Sequence, residues 1–426
     1  MKLQIQPLAA LSDKKLDIIV SGVPPKSRVR LNASMRFPWA KDVLYESAAW
    51  FTADKIGEVN LSLQKPDEGS YDFIDPMGLV VSVKSRDPKA LQKIAQHISI
   101  NEIMYIEFSA ECEGEKVYAT VERYFKASDI KSKRILDEFI GELFYTDDPG
   151  RPTILFIGGS GSGLDVDAPI SAALASHGFN VLSVSFIGEY NLPPQLSRVP
   201  LEYFEKVIDW IKQNPITRGK DIWLLGMSKG AEVALILASR HSEITRVALW
   251  APHAYCFQGI AFKNESSWTD KGIDVPYIRI KNRWVFRHTL DCFVKNRPFG
   301  YTPVYQKSLE AADNKEEARI RVENSKADFL FFTSKDCGMW NTYDGSVDIM
   351  DTLRKNEYPH NYALIVYDEA GEPYYVPYVI PASETSVKIF PRLVFSTGGT
   401  LQGNAHARED AWEKTIEFFK KPFSSR

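Results

Sequence analysis

Cysteine is scarce in this sequence, and the little there is lies scattered. Cys112, Cys256, Cys292 and Cys337 form no C-x-x-C pair and no metal-ligand spacing. A disulfide framework and a structural zinc site are thereby excluded, and a reducing compartment is implied. No metal and no cofactor is expected. Charge of one sign is lacking too, since 52 Lys and Arg oppose 55 Asp and Glu for a formal net charge of −3. No global field draws the chain to nucleic acid or to an anionic membrane surface. Long apolar runs are missing, so no membrane span is expected. The opening Met1-Lys-Leu-Gln-Ile-Gln-Pro7 lacks the apolar stretch of a signal peptide, and Ser424-Ser-Arg426 is not a peroxisomal tripeptide. The cytoplasm is the expected compartment. There is no internal repeat and no low-complexity tract.

What is present is an ordinary soluble composition, 44% hydrophobic and 25% charged over 426 residues, long enough for two or three domains. Residues 1–133 read as a β-sandwich. Short alternating segments such as Val29–Arg36, Glu58–Leu63, Leu79–Lys84, Ile103–Ala110 and Val117–Phe125 are separated by turn signals. From residue 134 to 426 strands alternate with helices. Thr153–Ile157 and Val181–Ile187 are continuous apolar strands, and Leu201–Lys212 is an amphipathic helix. A final helix is expected from about Ala405 to Lys420. This alternation predicts a parallel sheet covered on both faces. It lapses at about 255–326, read as an insertion containing a charged helix over Lys307–Lys326. That helix is either a lid over the sheet or a solvated face.

The richest stretch is Asp221-Ile-Trp-Leu-Leu-Gly-Met-Ser-Lys-Gly-Ala-Glu232, an apolar strand running through Gly226-Met-Ser228-Lys-Gly230 into a helix. G-x-S-x-G in strand–turn–helix context is a nucleophile elbow, and it makes the second domain an α/β-hydrolase with Ser228 as nucleophile. In that fold the oxyanion hole takes the N–H after the nucleophile, here Lys229, and one from the loop after an early strand. Gly158-Gly-Ser-Gly-Ser-Gly163 supplies that loop and Ser160 the second donor. The same glycines, with Glu189 after the next strand, also bear a loose likeness to a dinucleotide fingerprint.

Serine needs a base, and the base an orienting acid, in the chain order Ser, Asp or Glu, His. Asp336 follows a late strand and is the candidate acid, with a plain turn-former as the alternative. Only seven histidines are available. His97 lies in the first domain, His177, His241 and His360 fall at the wrong edge of the sheet, and His288 lies in the insertion. His406, ahead of the last helix, and His253, just past the Val247–Trp250 strand, remain.

Leu201-Glu-Tyr-Phe-Glu205, Asn214-Pro215 and Leu224-Leu-Gly-Met-Ser-Lys-Gly-Ala-Glu232 resemble the acyl-CoA thioesterase / bile acid-CoA:amino acid N-acyltransferase family. Asp75-Pro-Met-Gly-Leu79, Glu122-Arg-Tyr-Phe125 and Asp410-Ala-Trp412 extend the likeness across nearly the whole chain. The resemblance implies an immunoglobulin-like N-terminal domain before the α/β-hydrolase domain. It also implies hydrolysis of acyl-CoA thioesters by a Ser-Asp-His triad, or acyl transfer to an amino acid where the nucleophile is cysteine. The partner it implies is a small-molecule acyl thioester or related ester; oligomeric state is not addressed. Two positions depart from the family. Its acid lies in a segment like D-D-x-x-W, which is Asp336-Cys-Gly-Met-Trp340 here, with Cys337 at the acid's place. Its histidine lies in a segment like E-T-G-H-Y, which is Glu369-Ala-Gly-Glu-Pro-Tyr374 here, with Glu372 at the base's place or the base deleted. A glutamate serves as base only if its pKa is raised. His406 also resembles a second family histidine ahead of the last helix. Three readings follow: a rewired Ser228–His406–Asp336 thioesterase, a carboxylesterase or peptidase acting on a non-CoA substrate, and a non-catalytic binding protein.

Overall fold

The computed structural model describes residues 1–94, 98–148, 150–161, 163–217, 219, 221–261, 263–372, 374–383, 385–390 and 393–421. His97, Ser162 of the glycine cluster, Pro373 and residues 424–426 lie outside the described residues. The chain divides into two compact units. One comprises Met1–Ser128, Tyr375–Thr385 and Thr400–Glu409; the other comprises Asp129–Tyr374, Ser386–Gly399 and Asp410–Arg426. The division falls at residue 128 rather than 133 because Lys131–Ile135 is already a strand of the second unit's sheet.

The first unit is built on β-sheets. Arg28–Phe37, Ala40–Thr52, Met104–Cys112 and Glu115–Tyr124 are its long strands, neighbours in a seven-stranded sheet. Leu31, Ala33 and Met35 pair across the ladder with Ala110, Phe108 and Ile106, so period-two alternation turns one apolar face inward. Lys2–Gln6, Asp17–Ser21 and Glu58–Asn60 form a second, three-stranded sheet. Arg123 is wholly buried and donates to the Ser12 carbonyl at 2.7 Å and to that of Lys14, which gives this motif residue a structural role.

The second unit carries an eight-stranded sheet: β1 (Lys131–Ile135), β2 (Gly141–Tyr145), β3 (Thr153–Ile157), β4 (Asn180–Val184), β5 (Ile222–Met227), β6 (Ile244–Trp250), β7 (Asp328–Ser334) and β8 (Tyr362–Tyr367). Its spatial order is β1-β2-β4-β3-β5-β6-β7-β8, antiparallel at the β1–β2 and β2–β4 pairs and parallel beyond. β3 and β4 are buried at every residue, including the polar Thr153, Asn180 and Ser183. The helices are α1 (Leu164–Ser176), α2 (Leu201–Gln213), α3 (Lys229–Arg240), α4 (Asn282–Val294), α5 (Thr302–Glu310), α6 (Thr342–Lys355) and α7 (Leu401–Lys420). Leu201, Phe204, Val207, Ile208 and Ile211 form the buried stripe of α2.

Two helix expectations change. The charged helix over Lys307–Lys326 does not form as one piece: α5 stops at Glu310, and a single turn at Lys315–Ala318 and a 3-10 turn at Val322–Asn324 follow. Asn314 breaks the run by donating its side-chain amide to the Tyr277 carbonyl at 3.1 Å, while Arg319 pairs with Glu316 and Glu323. The last helix begins at Leu401, because the Thr400 hydroxyl accepts the Gly403 N–H at 3.0 Å as an N-cap. His406 therefore lies within the helix rather than ahead of it.

Candidate active site

β5 ends at Met227 and α3 begins at Lys229, so a single residue turns the chain. That residue, Ser228, sits at φ 53° and ψ −118°, a conformation costing on the order of 1–3 kcal/mol for a side chain-bearing residue. The turn is held by the Ser228 N–H donating to the Trp250 carbonyl at 2.8 Å. Close approach demands the flanking glycines. A Cβ on Gly230 would stand 2.1 Å from the Ile157 carbonyl oxygen, and one on Gly226 would stand 2.8 Å from the Ala231 Cα.

The Glu372 carboxyl has the Ser228 hydroxyl as a neighbour, which acts to lower its pKa. Glu372 lies on the loop after β8. Burial pushes its carboxyl up to about 7, and the bonds from Ser228 and Cys337 offset only part of that rise. Cys337, on the loop after β7, places its Sγ 3.6 Å from Glu372 Oε2 as the thiol donor. Burial first, then the Glu372 charge, push the Cys337 thiol well above its ordinary range, so it stands there neutral.

A third segment binds the two loops together. The hairpin Ser386–Phe390 with Leu393–Ser396 delivers a strap, Ser396–Gly399, that bridges Cys337 through Gly398 and Ala370 through Gly399. Contact is close enough that a Cβ on Gly371 would meet the Thr397 oxygen at 2.3 Å. Gly398, at φ +90°, would meet the Asp336 oxygen at 1.8 Å. Glu372 and its thiol neighbour are therefore registered by backbone.

Ser228 opens on a cavity of about 580 Å³ that Ser160 and Lys229 also line, with Ile260, Val285, Tyr305 and Trp340 among its apolar walls. Lys229 supplies the first amide of α3, a position without an intrahelical acceptor. Its side chain turns away into a buried network: Nζ reaches Glu232 Oε2 at 2.8 Å and the Phe257 carbonyl at 3.2 Å. Trp268 Nε1 donates to Glu232 Oε1 at 2.7 Å. Burial pushes the Glu232 carboxyl up, and the Lys229 charge opposes it. A depression of about 670 Å³ on the first unit's sheet is larger but holds no strained nucleophile. The glycine cluster does not serve a dinucleotide. Glu189 Oε2 accepts the Leu164 N–H at 3.0 Å, so a carboxylate already occupies the α1 N-terminus where a pyrophosphate would sit.

The remaining sequence candidates lie elsewhere. Asp336 is exposed, and its neighbour Cys337 is the residue that turns inward. His253 is wholly buried, accepts the Tyr255 N–H at 3.2 Å and packs against Phe257 and Trp340. Burial lowers its pKa to about 3, so it stays neutral. A Cβ on Gly345 would meet its ring at 2.4 Å, which identifies it as a packing residue beneath α6. His406 is exposed on the part of α7 that groups with the first unit. Of the aromatic run 374–378, Tyr374 stacks on Trp250 and bonds Ser334 at 2.9 Å. The strap and the Lys229–Glu232–Trp268 network had no sequence expectation; only the Gly398-Gly399 pair hinted at the first.

A sheet in this order, with a strained serine after β5 and partner loops after β7 and β8, defines an α/β-hydrolase preceded by a sheet-rich unit. The family described as "Acyl-CoA thioester hydrolase/BAAT N-terminal region" matches residues 13–137, and "BAAT / Acyl-CoA thioester hydrolase C terminal" matches residues 199–425. The chain belongs to the acyl-CoA thioester hydrolase/BAAT family. It is 27% identical over 422 residues to acyl-coenzyme A thioesterase 2, mitochondrial, of Mus musculus, covering 97% of this chain and 87% of that one. To bile acid-CoA:amino acid N-acyltransferase of Mus musculus it is 28% identical over 437 residues, covering 99% and 97%. Among solved structures, esterase B from Lactobacillus rhamnosis is similar at a TM-score of 0.41 and 14% identity, over 69% of this chain and 87% of that chain. No described helix is long and apolar enough to cross a membrane.

Proposed function

We propose that the protein hydrolyses an acyl-CoA thioester through an acyl-enzyme on Ser228, with Glu372 as general base and Cys337 orienting it. The observation that carries this is the elbow serine standing beside a carboxyl that burial has pushed up to about 7. A base is most effective when its pKa lies near the working pH, and a glutamate reaches that range only by burial. Ser228 Oγ attacks the carbonyl carbon as Glu372 takes its proton. The N–H groups of Lys229 and Ser160 receive the oxyanion. The C–S bond then breaks, and the thiolate takes the proton from Glu372. Water attacks the oxygen ester by the same base, releasing the acid and returning the proton to Ser228.

The leaving group favours this substrate class. A thiol of pKa about 8.5 leaves with little help from an acid, whereas an amine requires full protonation. The apolar cavity walls suit an acyl chain, and an oxygen ester on serine passes to water rather than to an amine. A reducing compartment, the cytoplasm, suits four free cysteines.

Fluorophosphonate labelling, with turnover of acyl-CoA and aryl-ester panels, tests the reading. Wild type should label and turn over acyl-CoA, and Ser228→Ala should do neither. Unlabelled wild type would remove the nucleophile, and aryl-ester turnover without acyl-CoA turnover would remove the substrate class.

A further inference from the structure

α4 lies in the insertion with its inner side on the cavity: Val285 lines it and Cys292 is buried. Its outer side carries four apolar side chains, with Arg283 among them. Phe286 and Val294 are 72% exposed, Leu290 50% and Phe293 44%. At about 100° per residue these four fall within one arc of about 100°. Packing against the protein does not account for such a stripe, and exposed apolar side chains this dense mark a contact surface. Ile260 and Tyr301 are also exposed, and both line the cavity, so its mouth shares the apolar character of the helix.

Charge chooses the occupant. Within residues 279–297 lie Arg279, Lys281, Arg283, Arg287, Lys295 and Arg297, against one carboxylate, Asp291. Asp291 is already shared by Lys295 and Arg297. Among the described residues no carboxylate pairs with Arg279, Arg283 or Arg287. The whole chain is net negative, so this cluster is a local reversal of sign rather than a general property. An apolar stripe with Phe and Leu, flanked by arginines, is the pattern of a helix that lies in a membrane interface. The apolar face enters the acyl boundary and the cations meet lipid phosphates.

We propose that α4 is a docking helix that seats the protein on an anionic phospholipid surface, with the cavity mouth beside the membrane. Resting on the hydrolase reading above, this places the cavity where a membrane-partitioned acyl chain can enter without crossing water. Flotation of the full chain with vesicles of phosphatidylcholine, with and without phosphatidylserine, tests it. Wild type should float with the phosphatidylserine vesicles. Phe286→Asp/Leu290→Asp should weaken that partitioning roughly a hundredfold. Arg283→Gln/Arg287→Gln should weaken it roughly thirtyfold on phosphatidylserine vesicles and leave binding to pure phosphatidylcholine unchanged. All four residues are at the surface, and circular dichroism should show both variants folded. Wild type remaining in the soluble fraction, or the aspartate variant floating equally well, overturns the proposal. So does sedimentation equilibrium showing a dimer that the aspartate variant dissolves, because a second copy then covers the face. Flotation does not read turnover, so an inactive hydrolase leaves this result standing.

Discussion

Replacing Glu372 by Gln should slow turnover and, above neutral pH, make the protein more stable. The carboxyl moves from an ordinary 4.5 up to about 7 on folding, chiefly through burial. Between those values the folded state keeps a proton that the unfolded chain has released. Native protein therefore binds more protons in that window, and stability falls as pH rises through it. At about 1.4 kcal/mol per pH unit, the gap amounts to about 3 kcal/mol. Glu372 retains some solvent contact, which makes that figure a ceiling. Glutamine keeps the shape and an oxygen to accept from Ser228 and Cys337, but it does not ionise. Unfolding free energies of wild type and variant should agree at about pH 4 and separate by up to about 3 kcal/mol at about pH 8.5, with the variant the more stable. Over the same range, wild-type kcat/KM should rise through a pKa of about 7, and the variant should be roughly 10²–10⁴-fold slower. A variant whose stability varies with pH as wild type does would refute the raised carboxyl. Undiminished turnover would refute its role as base.

Cys337→Asp sets a second carboxylate against Glu372, so the kcat/KM profile should shift at least about one pH unit to the alkaline side. Glu232→Ala strips the buried Lys229 ammonium of its counter-charge and should cost about 3–5 kcal/mol in denaturant unfolding; Glu232→Gln, which keeps an acceptor for Trp268, should cost less. His406→Ala should leave fluorophosphonate labelling of Ser228 and the pH profile of turnover as they are in wild type, as the proposed role of Glu372 requires.

The sequence carried the hydrolase fold well because two strong local signals agree there. Strands buried on both faces read as largely apolar runs, and here G-x-S-x-G stands in the strand–turn–helix context that a nucleophile elbow needs. It carried the partners of Ser228 poorly. Chain order and histidine chemistry pointed to His406, but order along a chain does not reveal that Thr400 caps α7 early and encloses that residue in a helix. Asp336 and Cys337 are adjacent in sequence, and only the loop's register with Ser396–Gly399 turns the thiol inward and the carboxylate outward. The helix α4 and its stripe had no sequence expectation, because the expected helix of the insertion was placed at Lys307–Lys326.

On the proposed mechanism, the two departures from the triad that the family resemblance implies amount to a single electrostatic change. A histidine base with an aspartate behind it carries one negative charge at rest and none once the base has taken the serine proton. Glu372 with the neutral thiol of Cys337 also carries one negative charge at rest and none after transfer. Either replacement alone breaks that equivalence. Glutamate in front of aspartate would crowd two carboxylates together, and one would stay protonated through the neutral range. Histidine in front of cysteine would leave the imidazolium without a counter-charge in a buried site. Were Glu372 the base, as proposed, the thiol at position 337 would be what such a base requires of its neighbour: a donor that orients it while adding no charge.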